Sequence, residues 1–190
     1  LTKRSNVQRS AETKEKLLYS AAKIIVEKGN AKLTLDEVAK EAGVSKGGLL
    51  HHFKSKEILI EEMFRFAISK MDNNFKKFYE NEAEGKGKFL KAYIKYSVDE
   101  TFCNEEIFFS KQLWSVFLSS MLEKPSLVEI FKESYLHDQE MIDQDGVDPI
   151  KVTIIRLAID GLMIHEMFHN PFIKNEVKEK VIQKLLDMTI

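Results

Sequence analysis

The stretch Thr34–Lys56, TLDEVAKEAGVSKGGLLHHFKSK, decides the fold. Leu35, Val38, Ala39 and Ala42 recur at helical spacing, so a short helix buries that face and leaves Asp36, Glu37, Lys40 and Glu41 in water. Gly43 stops it, because glycine enters the left-handed conformation just past a helix end without a Cβ penalty. Ser45 is placed to cap a second helix, whose Leu49 and Phe53 turn back onto the first. Counted from Leu35, small Ala39 is fifth, Gly43 ninth and apolar Leu49 fifteenth. A small residue for close approach, a glycine for the turn and an apolar lock for the crossing angle make a helix-turn-helix, a unit that lays its second helix in the major groove of DNA.

With Leu49 and Phe53 spent on packing, Lys46, Gly47, Leu50 and His51 are left to face a base edge. Lys46 can donate to guanine O6 or N7, and His51 can donate or accept. Gly47 and Gly48 cost a helix about 1 kcal/mol each relative to alanine. Two readings of the pair stay open: close backbone approach to the groove floor, or tight packing within the head.

The run Leu17–Leu59 resembles the DNA-binding domain of the tetracycline-repressor (TetR) family. The resemblance is carried by Ala21, Ala22, Gly29, Thr34, Val38, Ala39, Gly43, Val44, Ser45, Gly48, Leu49, His52, Phe53, Lys56, Glu57 and Leu59. It departs at Leu50, which stands where the family has tyrosine and offers a phosphate no hydrogen bond. The resemblance implies that Thr34, His52 and Lys56 approach phosphates, with Lys56 opening a helix capped by Ser55. It also implies a homodimeric transcriptional repressor on a palindromic operator, released when a small apolar effector binds the second domain. A single helix-turn-helix covers half a site, and two copies read half-sites about 34 to 36 Å apart.

Charge supports a polyanionic partner. Residues 1–60 carry twelve Lys or Arg against seven Asp or Glu, a balance of +5, while the rest carry 17 against 23, a balance of −6. The 190 residues, 44% apolar with thirteen Phe and seven Met, are ample for a buried core. The single Cys103 forms no internal disulfide and no charged-then-apolar leader opens the chain, so a cytoplasmic protein is expected.

In order, Leu1–Arg9 reads as a polar arm bearing Lys3, Arg4 and Arg9, and residues 10–28 read as an amphipathic helix ending at Gly29. A long helix follows the head over residues 56–81, apolar around much of its circumference. Beyond the polar break EAEGKGK at 82–88, further helices are expected near 89–103, 105–122, 126–143, 149–169 and 172–188. The fold class is therefore all-α: a helix-turn-helix head, residues 1–54, joined to a helical bundle for ligand binding and dimerisation, residues 55–190, with about nine helices.

Residues 107–122 contain one charge and many aromatics, yet are too short and too polar for a membrane span. Tyr93, Tyr96, Cys103, Phe109, Trp114, Phe117 and Met121 are the candidates to line an apolar effector cavity, with an ordinary packed core as the alternative. Leu157, Gly161, Ile164, His165 and Phe168 are the candidate dimer face, beside an Arg156–Asp160 pair at i to i+4.

A competing signal is His165-Glu166-x-x-His169, the H-E-x-x-H pattern of zinc hydrolases. Asn170-Pro171 ends the helix after the second histidine, and Phe172 and Asn175 stand where the extended motif needs glycine and a third histidine. The acidic turn Asp143–Asp148 misplaces the glycine of a calcium loop and lacks its closing glutamate. No metal or other cofactor, no catalytic role and no membrane partner is expected; the alternatives are a zinc-dependent hydrolase using His165-Glu166-x-x-His169 and a DNA-binding protein blind to any ligand.

Overall fold

A computed structural model describes residues 5–99, 108, 111–167 and 173–190. Nine α-helices form among them: α1 (Asn6–Lys28), α2 (Leu35–Ala42), α3 (Lys46–His52), α4 (Lys56–Asn81), α5 (Lys88–Ser97), α6 (Lys111–Met121), α7 (Pro125–Asp143), α8 (Pro149–Met167) and α9 (Asn175–Asp187). A short 3₁₀ turn spans Asn30–Lys32, and no strand occurs among the described residues. The expected all-α class holds.

The arm reading fails from Ser5 onward. Ser5 and Gln8 form a reciprocal capping box, so the helix starts at Asn6 and Arg9 lies within it. The missed signal was Ser-x-x-Gln, overridden by the absence of apolar periodicity before Leu17. Lys3 and Arg4 lie outside the described residues.

The chain forms two compact units: Leu1–Ile68 with Cys103–Leu127, and Ser69–Phe102 with Val128–Ile190. In the first, α1 buries Leu17, Leu18, Ala21, Ala22, Ile24 and Ile25, and α4 buries Leu59, Ile60, Met63, Phe64 and Ala67. Tyr19, Phe66 and Phe108 meet edge to face at 4.9 to 5.9 Å. Phe64, Trp114 and Phe117 form a second aromatic group at 4.7 to 5.7 Å, with the Trp114 indole N–H donating to the Phe108 carbonyl at 2.9 Å.

The second unit closes around Phe89, Leu90, Ile94, Ile142, Val152, Ile155, Ile159 and Leu185. The acidic turn is spent on helix ends. Asp145 accepts from the Phe89 and Leu90 amides at 3.0 and 2.9 Å, capping α5 from a turn remote in sequence. Asp148 accepts from the Ile150 and Lys151 amides at 2.9 and 3.2 Å, capping α8. Gly87 stands at φ 72°, and a Cβ there would run into the Thr189 carbonyl oxygen and sit 2.9 Å from the Thr189 Cβ. Thr189 is fully buried.

Gly87→Ala is therefore expected to lower stability by about 1 to 3 kcal/mol, through both the left-handed strain and the clash. Chemical denaturation of the full chain measures it, and a change under 0.5 kcal/mol, roughly the scatter of neutral surface substitutions, would contradict this packing.

Candidate nucleic-acid interface

The head is assembled by local signals that each satisfy free helix amides. The Thr34 hydroxyl accepts from the Glu37 amide at 3.2 Å, and the Ser45 hydroxyl from the Gly48 amide at 3.1 Å. Between them Gly43 takes φ 61°, and the Val44 amide donates back to the Ala39 carbonyl at 2.9 Å, closing a left-handed helix stop. Leu49 and Phe53 are fully buried, as is Val38, with Ala39 and Ala42 nearly so. Because Thr34 and Ser45 accept, each keeps a hydroxyl proton for an outside acceptor such as a phosphate oxygen.

Lys46, Gly47, Leu50 and His51 are exposed together on α3, as the spacing predicts. Lys46 Nζ lies 2.8 Å from one carboxylate oxygen of Asp36. His51 and His52 meet edge to face at 5.4 Å. His52 is half-buried beside Asn6, Val7, Ser10, Ala11 and Lys14 of α1. Burial, aided by His51 and Lys14, holds its imidazole below the usual value, so it offers a neutral hydrogen-bonding edge. Lys56 donates to the Asn30 carbonyl at 3.3 Å, and Ser55 caps α4 by accepting from the Ile58 amide at 3.3 Å.

The two glycines have different environments. A Cβ on Gly48 would sit 2.9 Å from Val44 Cγ1 and 3.3 Å from Ser45 Oγ, whereas one on Gly47 would meet nothing within 4 Å. A side chain at Gly48 therefore forces Val44 to shift within the head. Nothing in the isolated head requires Gly47.

The candidate effector residues fall in both units. Tyr93 and Tyr96 belong to the second, where Tyr96 packs on Phe75 and Phe78 at 5.9 and 5.5 Å and the Tyr93 hydroxyl donates to Asp160 at 3.4 Å. Trp114, Phe117 and Met121 belong to the first, with Phe117 fully buried and Met121 half-buried. Cys103 and Phe109 lie outside the described residues.

A polar cluster that pattern reading missed lies in the second unit. Arg156 is 5% exposed, donates to the Gln139 side-chain carbonyl at 2.8 Å and lies 3.6 Å from the Tyr135 ring centroid. The sequence suggested that Arg156 pairs with Asp160 along its own helix; the two do interact through their charges, while the guanidinium hydrogen bond crosses to α7. Burial pushes the carboxyls of Asp138 and Asp160 up, with Arg156 opposing in both cases. Burial likewise raises Asp72, against His137, and the Tyr93 hydroxyl. The available signal was Tyr135, Asp138, Gln139 and Ile142 sharing one face of α7, a polar patch on a helix side that ends in a core residue.

Along α8, Ile150, Ile154, Leu157 and Ile164 are exposed at successive spacings of four, three and seven, and a Cβ on Gly161 would meet nothing within 4 Å. His165 is half-buried; Phe168 and His169 lie outside the described residues. Glu166 accepts from Lys178 of α9 at 2.6 Å, an ion pair that occupies the carboxylate a zinc hydrolase needs as its base. Among the described residues no group of three or more His, Cys, Asp or Glu is placed to hold a metal, and no helix is long and apolar enough to cross a membrane.

A head of this geometry, with a cation and a glycine exposed on its second helix, defines a class: a helix-turn-helix DNA-binding protein with an all-helical second unit. Residues 17–63 match the family profile described as "Bacterial regulatory proteins, tetR family", and residues 87–190 match "Tetracyclin repressor-like, C-terminal domain". The chain belongs to the TetR family of DNA-binding transcriptional repressors. It is similar to the regulator PksA of Bacillus subtilis, 22% identical over 85% of this chain and 82% of that one. It is also similar to YerO of the same organism, 34% identical over 48% of this chain and 30% of that one. A TetR transcription regulator from Haloarcula marismortui shares the fold, with a TM-score of 0.74 at 15% identity over 94% of this chain and 97% of that one.

Two expectations follow. Gly47→Ala is expected to raise head stability by roughly 0.5 to 1 kcal/mol and weaken DNA binding, while Gly48→Ala lowers stability. Melting curves with binding titrations check both, and equal melting shifts for the two would contradict the distinction. A carboxyl that holds its proton more tightly when folded costs stability as pH rises from its unfolded value, about 3.9, through its raised folded value. Asp138→Asn should therefore gain melting temperature over wild type as pH climbs from about 4 through that window, then keep a constant gain to neutrality. An equal gain at both ends of the range would contradict the burial of Asp138.

Proposed function

We propose that the chain acts as a homodimeric, ligand-responsive repressor that binds a palindromic operator and is released by an apolar small-molecule effector. The single observation that carries the DNA half is the joint exposure of Lys46, Gly47, Leu50 and His51 on a helix whose remaining residues are committed to packing and capping. Thr34, Ser45, His52 and Lys56 flank that face as phosphate contacts, and Gly48 keeps α3 close to the turn. Residues 1–54 serve as the DNA-binding part and 55–190 as the effector and dimerisation part.

Support for the dimer comes from α8. Ile150, Ile154, Leu157 and Ile164 form an exposed apolar stripe along one face of that helix, with Leu157 67% exposed, the kind of face a partner helix covers. Gly161 in the middle of that stripe admits a close helix crossing, His165 follows it on the same helix, and Phe168 is a further candidate from the sequence. The effector half is carried by the sequence alone, in which Tyr93, Tyr96, Cys103, Phe109, Trp114, Phe117 and Met121 are the candidate contacts, aromatic and apolar side chains with few polar anchors. Against the hydrolase reading stand the family match and the pairing of Glu166 with Lys178.

Leu157→Glu with Ile164→Glu is expected to give a folded monomer by sedimentation, with operator affinity lost and the helical signal kept. A dimer that persists would contradict the α8 interface. Effector coupling is expected to change operator affinity by roughly 5- to 150-fold. A broad screen of apolar compounds that leaves operator affinity unchanged would overturn the sensor reading.

A further inference from the structure

Lys46 is the first residue of α3 and the one ammonium among the four exposed residues of its reading face. It is not free. Its Nζ lies 2.8 and 3.2 Å from the two carboxylate oxygens of Asp36, in the first turn of α2. The Lys46 and Asp36 side chains are 63% and 68% exposed. An ion pair in that setting contributes little to folding, because water screens it and two long side chains must be held still. A full negative charge at the corner of a DNA-facing surface also opposes the phosphates that provide most of a DNA-binder's affinity. Neither stability nor general attraction explains the pair.

Direction explains it. An ammonium has three donors, and a carboxylate that holds it from one side leaves donor capacity pointing outward. Two kinds of acceptor compete for that capacity on DNA. A phosphate oxygen is anionic, so bringing it to Lys46 also brings it against Asp36 at a distance where like charges repel. Guanine O6 and N7 are neutral acceptors, and they meet the ammonium without that penalty. The carboxylate therefore withholds Lys46 from the backbone and leaves it available to a base edge. Such a device matters in this head, where Leu50 lacks a polar group and Gly47 lacks a side chain, so base discrimination rests on few atoms.

Resting on the reading of α3 as the DNA-reading helix, we infer that Asp36 is a specificity-determining positioning residue, which holds the Lys46 ammonium for neutral base acceptors and keeps it off phosphate. Without this partner the ammonium takes a phosphate as readily as a base edge; with it the neutral base edge is favoured.

The test uses the full chain and two probes: a duplex selected by the wild-type protein from a randomised pool, and a scrambled duplex of the same composition. Wild type, Asp36→Asn, Lys46→Ala and the double variant are titrated against both across a series of salt concentrations. Asp36→Asn is expected to bind the scrambled duplex roughly two- to fivefold more tightly, the range set by an exposed charge pair. Its log affinity against log salt should steepen by about 0.9, the signature of one added phosphate contact. Its ratio of selected to scrambled affinity should fall. In the Lys46→Ala background the same change should lose most of that gain and leave the salt slope unaltered. An equal gain with and without Lys46 would overturn the inference, because Asp36 would then act as plain repulsion. An unchanged slope and ratio in the single variant would also overturn it. Matching melting temperatures confirm that the variants are folded. A wild-type chain that selects no duplex above the pool would instead overturn the DNA-reading assignment of α3 itself.

Discussion

The left-handed stop at Gly43 is the constraint on which the head depends. With φ at 61° and the Val44 amide returned to Ala39, the chain leaves α2 and enters α3 within three residues. A turn that short fixes which side of α3 faces inward, and the fully buried Leu49 and Phe53 lock that choice. What remains outside follows by subtraction: Lys46, Gly47, Leu50 and His51. The chemistry available to DNA is thus decided by the turn and the two apolar side chains behind it.

The second unit depends on a contact of a different range. Asp145 joins a turn after α7 to the first amides of α5, more than fifty residues earlier in the chain. Charge-assisted hydrogen bonds to a helix N-terminus combine capping with the favourable interaction of a carboxylate and the helix dipole. Gly87 then allows the C-terminal Thr189 to lie against the same corner. Elsewhere in the unit Arg156 is buried against Gln139 and Tyr135, and desolvation raises the carboxyls of Asp72, Asp138 and Asp160.

Legibility tracked sequence separation. The helix-turn-helix was readable because its cap, its stop and its small residue act on neighbours within four or five positions, and the caps at Thr34 and Ser45 fall where the pattern put them. The all-α class followed from apolar periodicity, and helix ends followed from Gly29, Pro125 and Pro149. The start of α1 was misread because a capping box needs no apolar residues, so Ser5 gave no periodic signal. The different roles of Gly47 and Gly48 were hidden, since they depend on where Val44 and Ser45 stand in space. Asp145 looked like part of a turn because its partners are remote. Arg156 looked like one half of a surface pair because nothing local shows that α7 covers it.

The central claim is that this head reads DNA as one of two copies, through a face with few side chains and a bare glycine backbone. Hydroxyl-radical footprinting of the full chain on a duplex it has itself selected tests this most directly. The account predicts two protected patches on one face of the duplex, centred about 10 to 10.5 base pairs or a whole multiple apart, with a two-fold related sequence beneath them. A single patch, or uniform protection without sequence preference, would contradict it.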